Sequence, residues 1–313
     1  MPLRIHYISF PGLGIDEFRV NSNAIELGGF KLPWYSLIIM TGIVCAFLYV
    51  WFRFKENGMK TDDVIDFALF IVPSGVIGAR LYYIIFSLDK YIVTSNESFW
   101  ENLWQTLGGM VAVWNGGLAI YGGIIAGGLA GVLVARHKKI NMLRMLDFLA
   151  PGVMLAQAIG RWGNFFNAEA HGGITEGFFR MGIRGENSFV TRFYHPTFFY
   201  ESMWNFIGFI AIWLILVKLQ KTKHLYKFNG EIFYCYLIWY GLGRFWIEGM
   251  RADSLYLIPD IIRVSQLVAL LSFIVGSALM AYSIVTLKKG KENALVKRLE
   301  APQATEEKAK EVK

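Results

Sequence analysis

The stretch from Gly160 to Gly173, GRWGNFFNAEAHGG, closes a long apolar segment with an arginine, two asparagines and a glutamate. Polar groups at the end of a membrane-length apolar run are costly, so each needs a partner or a task. Residues three apart share a helical face, so a helix that runs to about Asn167 gathers Arg161, Asn164 and Glu169 around one patch. This is where the chain's chemistry is expected.

The rest of the composition sets the medium. Of 313 residues, 55% are hydrophobic, 16% aromatic and only 18% charged, which is too apolar for a soluble protein of this size. The fold class expected is an all-α integral membrane protein. A net charge of +7 does not indicate nucleic acid, because the basic residues fall in short loops between apolar segments and not along one face. Cys45 and Cys235 lie inside apolar stretches with nothing to pair them and read as small hydrophobes, so neither a disulfide nor a zinc site is indicated. No GxxxxGK[ST] phosphate loop and no HExxH metal helix occurs. The N-terminus lacks the pattern of a removable signal peptide, so the first span is expected to direct insertion.

Residues 1–33 carry Pro2, Pro11, Pro33, Gly12, Gly14 and Gly29 and read as an irregular or short-stranded cap. Seven spans are expected after it. Trp34 to Phe52 has no charged residue over 19 positions, roughly 28 Å of helix, which matches a hydrocarbon core. The second runs from about Val64 to Phe86, with Pro73 inside. The third apolar stretch, Gly108 to Ala135, is 28 residues long, so its first part is expected to be re-entrant or superficial. Its glycines at 116, 117, 122, 123, 127 and 128 allow either close helix packing or a substrate groove. The fourth span starts near Met145 and ends in the motif. Residues 168–195 form a polar insertion, read as a small head, before the fifth span from Thr197 to Val217. The sixth is Ile232 to Met250 and the seventh Val264 to Leu287, so the membrane domain covers 34–287 and a charged tail covers 288–313. Loops on one side hold 19 of the 31 Lys and Arg and those on the other hold 9, which places the tail in the cytoplasm and the N-terminus, head and motif outside.

Arg161 and Arg244 lie within or at the ends of apolar helices. Two buried arginines ask for an anion, and two answers stand: structural ion pairs with Glu169, Glu201 or Glu248, or a phosphate held by guanidinium forks. Asn164 and Asn167 add neutral donors or cap the helix end. Tyr121, between paired glycines, and Tyr35, in PWYS, serve either as interfacial anchors or as site hydroxyls. His171 and His195 have no Ser or Cys beside them that would make a nucleophilic triad. Asp66 and Asp147 read as ion-pair or capping residues.

These residues together resemble the prolipoprotein diacylglyceryl transferase family. GRWGNFFNAEAHGG is similar to the family's long signature through Gly160, Arg161, Gly163, Asn164, Phe165, Asn167, Glu169 and Gly172. PWYS with Tyr35, GARLYYIIF with Arg80, the glycine block with Tyr121, HPTFFYE with Glu201, and GRFWIEGMR with Arg244 and Glu248 follow in the family's order. Two positions depart from the pattern: Tyr121 stands where many members have histidine, and HPTFFYE replaces the commoner HPTQLYE.

The resemblance implies transfer of a diacylglyceryl group from phosphatidylglycerol to the thiol of the lipobox cysteine in a prolipoprotein signal peptide. The setting it implies is the bacterial inner membrane, with the active site toward the outer leaflet and no metal or organic cofactor. Tyr121, Arg161, Glu169 and Arg244 are the catalytic candidates; Tyr35, Arg80, Asn164, Asn167, Gly172, Glu201 and Glu248 are the substrate-binding ones. The proton acceptor is open among Tyr121, Glu169 and Glu201. The competing class is a transporter or binding protein for an anionic lipid headgroup.

Overall fold

The computed structural model describes residues 5–28, 30–93, 98–112, 116–214, 228–252, 256–258 and 262–290. Most of the basic loop 218–229, the end of the fifth expected span and the tail beyond residue 290 lie outside the described residues. The chain is mostly helical. Among the described residues, five helices are long and apolar enough to cross a membrane: Trp34–Glu56 (α1), Thr61–Ile85 (α2), Ile120–His137 (α4), Met142–Phe166 (α5) and Val264–Lys288 (α8). Phe99–Val111 (α3), Thr197–Ala211 (α6) and Glu231–Met250 (α7) complete the described α-helices. The protein is therefore an integral membrane protein, although the all-α expectation needs correction because the described residues include three small sheets.

The chain divides into two compact units, Met1–Arg53 with Leu146–Lys313, and Phe54–Met145. In the first, the strands Ile5–Phe10 (β1), Ile15–Asn21 (β2), Met181–Gly185 (β5) and Arg192–Tyr194 (β6) make one antiparallel sheet in the order β2-β1-β5-β6. Residues read separately as a cap and an insertion thus share main-chain hydrogen bonds, a non-local pairing that local pattern does not reveal. Two hairpins, Asn23–Leu27 (β3) with Phe30–Pro33 (β4) and Tyr256–Ile258 (β7) with Ile262–Arg263 (β8), make the other sheets.

Alternation in β1 sends Ile8 inward, where it joins Val20, Met181, Ile183 and Phe198 in a small core. Phe165 and Phe166, the aromatic pair of the motif, pack against that core. The motif helix therefore ends beneath the sheet, and Trp34 at the start of α1 stacks on Phe166 with centroids 5.1 Å apart.

In the second unit, α2 and α4 meet through glycine. A Cβ at Gly122 would overlap the Gly78 carbonyl, and one at Gly78 would overlap the Ala126 side chain. Gly123 and Gly127 also face α2, so of the two readings of the glycine run, close helix packing is the one that Gly122, Gly123 and Gly127 adopt. The 28-residue stretch is not one helix: Gly108 to Val111 finish α3, and α4 begins only at Ile120. At the other end of α4, Lys138 donates to Asp63 at 2.8 Å and to Asp66, and these hydrogen bonds hold its ammonium above the ordinary lysine range. In the first unit, Asp147 accepts from the Gly230 and Phe233 N–H groups at 2.6 and 2.9 Å and so caps the start of α7 from another helix.

Candidate active site

The motif helix α5 carries two functional faces, set by residue spacing. Gly152, Ala156, Gly160 and Gly163 recur every three or four residues and face α1, against Ala46, Gly42, Ile39 and Tyr35 respectively. A Cβ at Gly163 would stand 2.8 Å from the Tyr35 ring, so glycine there lets that aromatic lie against the helix. Arg161 and Asn164 project from the neighbouring face. The glycines of GRWG bring α1 close, while the arginine and asparagine are left to make polar contacts.

A second helix pair delivers the partners. Trp204 on α6 and Trp239 on α7 stack at 4.5 Å, and each indole N–H donates to the other's carbonyl, at 3.0 and 2.9 Å. This reciprocal lock fixes the register of α6 against α7, with Glu201 a turn before one tryptophan and Arg244 just over a turn after the other. Gly243 and Gly208 leave room for the two indoles.

The result is a ladder of charge. Arg161 Nη2 donates to Glu201 Oε1 at 2.5 Å, and Arg244 Nη1 donates to Glu201 Oε2 at 2.7 Å. Arg244 Nη2 pairs with Glu248 Oε2 at 2.7 Å, and Arg251 approaches the same oxygen at 3.8 Å. Glu201 and Glu248 are only 4% and 2% exposed, so each carboxylate is buried among guanidinium groups. With Glu169 the cluster holds three carboxylates and three guanidiniums, a balance that lowers the cost of placing it among apolar helices.

Glu169 is reached by a turn, not by the helix. α5 ends at Phe166, and the backbone is left-handed at Ala168 (φ 50°) and Ala170 (φ 55°), on both sides of the glutamate. Non-glycine residues in that region cost on the order of 1 kcal/mol or more each and persist only where surroundings hold them. Here Asn164 and Asn167 donate side-chain N–H groups to Glu169 Oε1 at 3.0 and 3.1 Å. The Glu169 N–H donates to the Asn164 carbonyl at 3.1 Å, and the Thr197 hydroxyl donates to the Ala170 carbonyl at 2.5 Å. Asn164 Oδ1 also accepts from Arg161 Nη1, at a long 3.4 Å.

Arg161 is the part of this ladder with capacity to spare. Among the described residues two of its five N–H donors are engaged, one of them weakly, and its side chain is 23% exposed. A cavity of about 390 Å³ adjoins the turn, with Ala168, His171, Arg192 and Tyr194 in its wall.

The comparisons with known proteins bear on what this arrangement serves. The family model for prolipoprotein diacylglyceryl transferase matches residues 22–282. The chain belongs to this family. A phosphatidylglycerol–prolipoprotein diacylglyceryl transferase of Enterococcus faecalis is 45% identical over 265 residues, 82% of this chain and 88% of the relative. Proteins of the same name from Streptococcus uberis (45% identical, 81% of this chain, 91% of the relative) and Lactobacillus acidophilus (40% identical, 84% and 90%) are similarly related.

Of the residues that resemble the family's motifs, the structure brings Arg161, Asn164, Asn167, Glu169, Glu201, Arg244 and Glu248 into one network. Tyr35 lies beside it against Gly163. Gly172 acts by its size: a Cβ there would stand 2.6 Å from His195 Cβ and 2.9 Å from the Met250 carbonyl, where three chain segments are tied by the bonds Gly172 N–H to His195 O and Gly173 N–H to Met250 O.

Arg80 has a different task. It lies in the second unit, 5% exposed, and donates Nε to Met110 O (2.8 Å), Nη1 to Gly116 O and Gly117 O (3.0 Å), and Nη2 to Gly109 O (2.7 Å) and Ala112 O (3.2 Å). All five donors are spent on main-chain carbonyls, which leaves none for the headgroup that the motif likeness offered it. Tyr121 also belongs to this second unit, half-buried in the first turn of α4.

Two contributors escaped the sequence reading. Arg251 was legible as a charge after the sixth span but not as a partner of Glu248. Thr197 sat in HPTFFYE with no charge to mark it, and only its hydrogen bond identifies it.

Proposed function

We propose that this protein transfers the diacylglyceryl group of phosphatidylglycerol to the thiol of the lipobox cysteine of a prolipoprotein. Family membership and the names of its relatives support the reaction. The observation that carries the site assignment is the Arg161–Glu201–Arg244 ladder joined through Asn164 to Glu169.

In the reaction, the cysteine sulfur attacks the glycerol carbon that carries the phosphoester oxygen. The C–S bond forms as the C–O bond breaks, the electron pair leaves with glycerol phosphate, and the thiol proton goes to an acceptor. Two demands follow: stabilisation of the charge growing on phosphate, and removal of that proton. Arg161 has free, partly exposed donors that meet the phosphate two-point. Arg244, tied to both Glu201 and Glu248, adds positive potential and holds Glu201 so that Arg161 stays extended. Removing one well-placed donor to a transition-state oxyanion typically costs about 10²–10³ in rate.

For the proton, Glu169 is the better placed of the two glutamates. Glu201 has each oxygen on a guanidinium, so neither oxygen faces an incoming thiol. Glu169 is held by neutral amides through one oxygen, Oε1, while Oε2 stays open to a thiol among the described residues. Tyr35 borders the motif and orients the lipid or peptide, while Tyr121 enters the proposal by its motif likeness alone.

The setting we propose is a seven-span protein of the bacterial inner membrane, with N-terminus and site on the outer side and the tail in the cytoplasm. The distribution of Lys and Arg between loops supports this topology.

The test uses purified protein, phosphatidylglycerol with a labelled acyl chain, and a lipobox peptide beside its Cys→Ser control. Label on the cysteine peptide alone, with glycerol phosphate released, is the expected result. No label on either peptide with folded protein would overturn the reading and leave headgroup binding or transport in its place.

A further inference from the structure

We propose that Thr197 is a positioning residue for this reaction, acting through Glu169; the inference rests on the reading of Glu169 as proton acceptor. Thr197 is the first residue of α6 and is 1% exposed. Its hydroxyl donates to the Ala170 carbonyl at 2.5 Å across 27 positions of chain. That carbonyl belongs to one of the two left-handed residues that bracket Glu169.

The geometry explains why such a bond is needed. Alanine has no intrinsic preference for φ near 55°, so without an external hold the turn relaxes toward the right-handed or extended region. Rotation at Ala168 or Ala170 swings the Glu169 carboxylate away from Asn164 and Asn167, which are anchored on or beside the end of α5. Among the described residues, the side-chain amides that meet Glu169 both lie on its N-terminal side. On the C-terminal side the turn is held at Ala170 by the Thr197 hydroxyl. Just beyond, it is held by the main-chain bonds Gly172 N–H to His195 O and Gly173 N–H to Met250 O and by the packing of Gly172 against His195, Met250 and Thr197 Cγ2. The hydroxyl is thus the side-chain clamp on the Ala170 carbonyl itself, joining the start of α6, three residues before Tyr200 and four before Glu201, to the residue next to Glu169. The same helix turn that delivers Glu201 to the arginines sets the angle of the second glutamate.

A misplacement of about 1 Å costs on the order of 10²-fold in rate where a proton must pass between fixed groups. Thr197→Val removes the hydroxyl and keeps the branched shape. The expected result is a roughly 10–100-fold fall in kcat with KM for phosphatidylglycerol and for the peptide each within about twofold. Thr197→Ser, which keeps the donor, restores kcat to within a few-fold of the parent. In the Thr197→Val background, Ala170→Gly recovers several-fold of the loss, because glycine enters the left-handed region without a clamp.

Thr197→Val at parental kcat would overturn the inference, as would a loss that neither Ser nor Ala170→Gly repairs in protein shown to be folded. Glu169→Gln, measured in parallel, separates the two layers. An inactive Glu169→Gln beside a fully active Thr197→Val sinks only the role of Thr197. A fully active Glu169→Gln removes the proton-acceptor reading and the inference with it.

Discussion

Arg80 and Arg161 are both arginines on apolar helices, and they differ in what their donors meet. Arg80 is 5% exposed and gives all five N–H groups to five backbone carbonyls between Gly109 and Gly117. Arg161 is more open, gives one strong bond to a carboxylate and one long bond to an amide, and keeps the rest. Carbonyl dipoles satisfy a guanidinium without neutralising it and leave it unable to turn toward another anion. A carboxylate neutralises it but engages only one edge of the fork. We propose that the saturated Arg80 serves as a structural clamp and the unsaturated Arg161 as the recognition group.

The sharpest way to break that comparison is to change each arginine to lysine. At Arg161 the charge survives but the planar fork is lost. Transfer is expected to fall about 10²–10³-fold, while the thermal midpoint moves by only a few degrees, because Glu201 keeps Arg244 as its partner. Near-normal transfer by Arg161→Lys or Arg161→Ala would remove Arg161 from the phosphate-binding role.

At Arg80 the balance is reversed. Lysine has three donors for five part-buried or buried carbonyls, and stranding an acceptor that water does not reach costs about 1–3 kcal/mol. Arg80→Lys is expected to lower the midpoint by roughly 5–10 °C and to cut the yield of folded protein. The protein that does fold should transfer at a rate within a few-fold of the parent. A stable Arg80→Lys enzyme that has lost turnover would show that the clamp is also a substrate ligand, and the contrast with Arg161 would fail.

The sequence makes some of this visible and hides the rest for identifiable reasons. Helices such as Trp34–Glu56 and Val264–Lys288 are legible because uninterrupted apolar composition leaves a chain few alternatives in lipid. The meeting of Arg161 with Asn164 follows from helical spacing. Glu169 joins them for another reason: two left-handed alanines fold it back, and alanine does not announce such a turn as glycine does. The pairing of β1 with β5 was hidden because its residues are more than 170 positions apart. The saturation of Arg80 was not legible in one dimension, since the carbonyls that meet it belong to backbone and leave no side-chain signature.

A third arginine extends the comparison into water. Arg184 on β5 reaches across β1 to Glu17 on β2, with Nε–Oε1 at 2.8 Å and Nη2–Oε2 at 2.6 Å, and its guanidinium lies 4.1 Å from the centre of the Tyr7 ring between them. This two-point pair is geometrically better than the one at Arg161, yet it is exposed, so it should matter least. The hydrogen bonds from Arg184 hold the Glu17 carboxyl below the usual glutamate range. A lowered carboxylate pKa stabilises the fold above the unfolded value, near 4.3–4.5, and that contribution is lost as pH falls through the folded value. Glu17→Gln should therefore lower the midpoint by no more than about 2 °C at pH 7, and the difference from the parent should vanish in strong acid and shrink in high salt. A difference that persists undiminished at pH 3 would mean that shape and the Tyr7 stack, and not charge, hold the three strands together there.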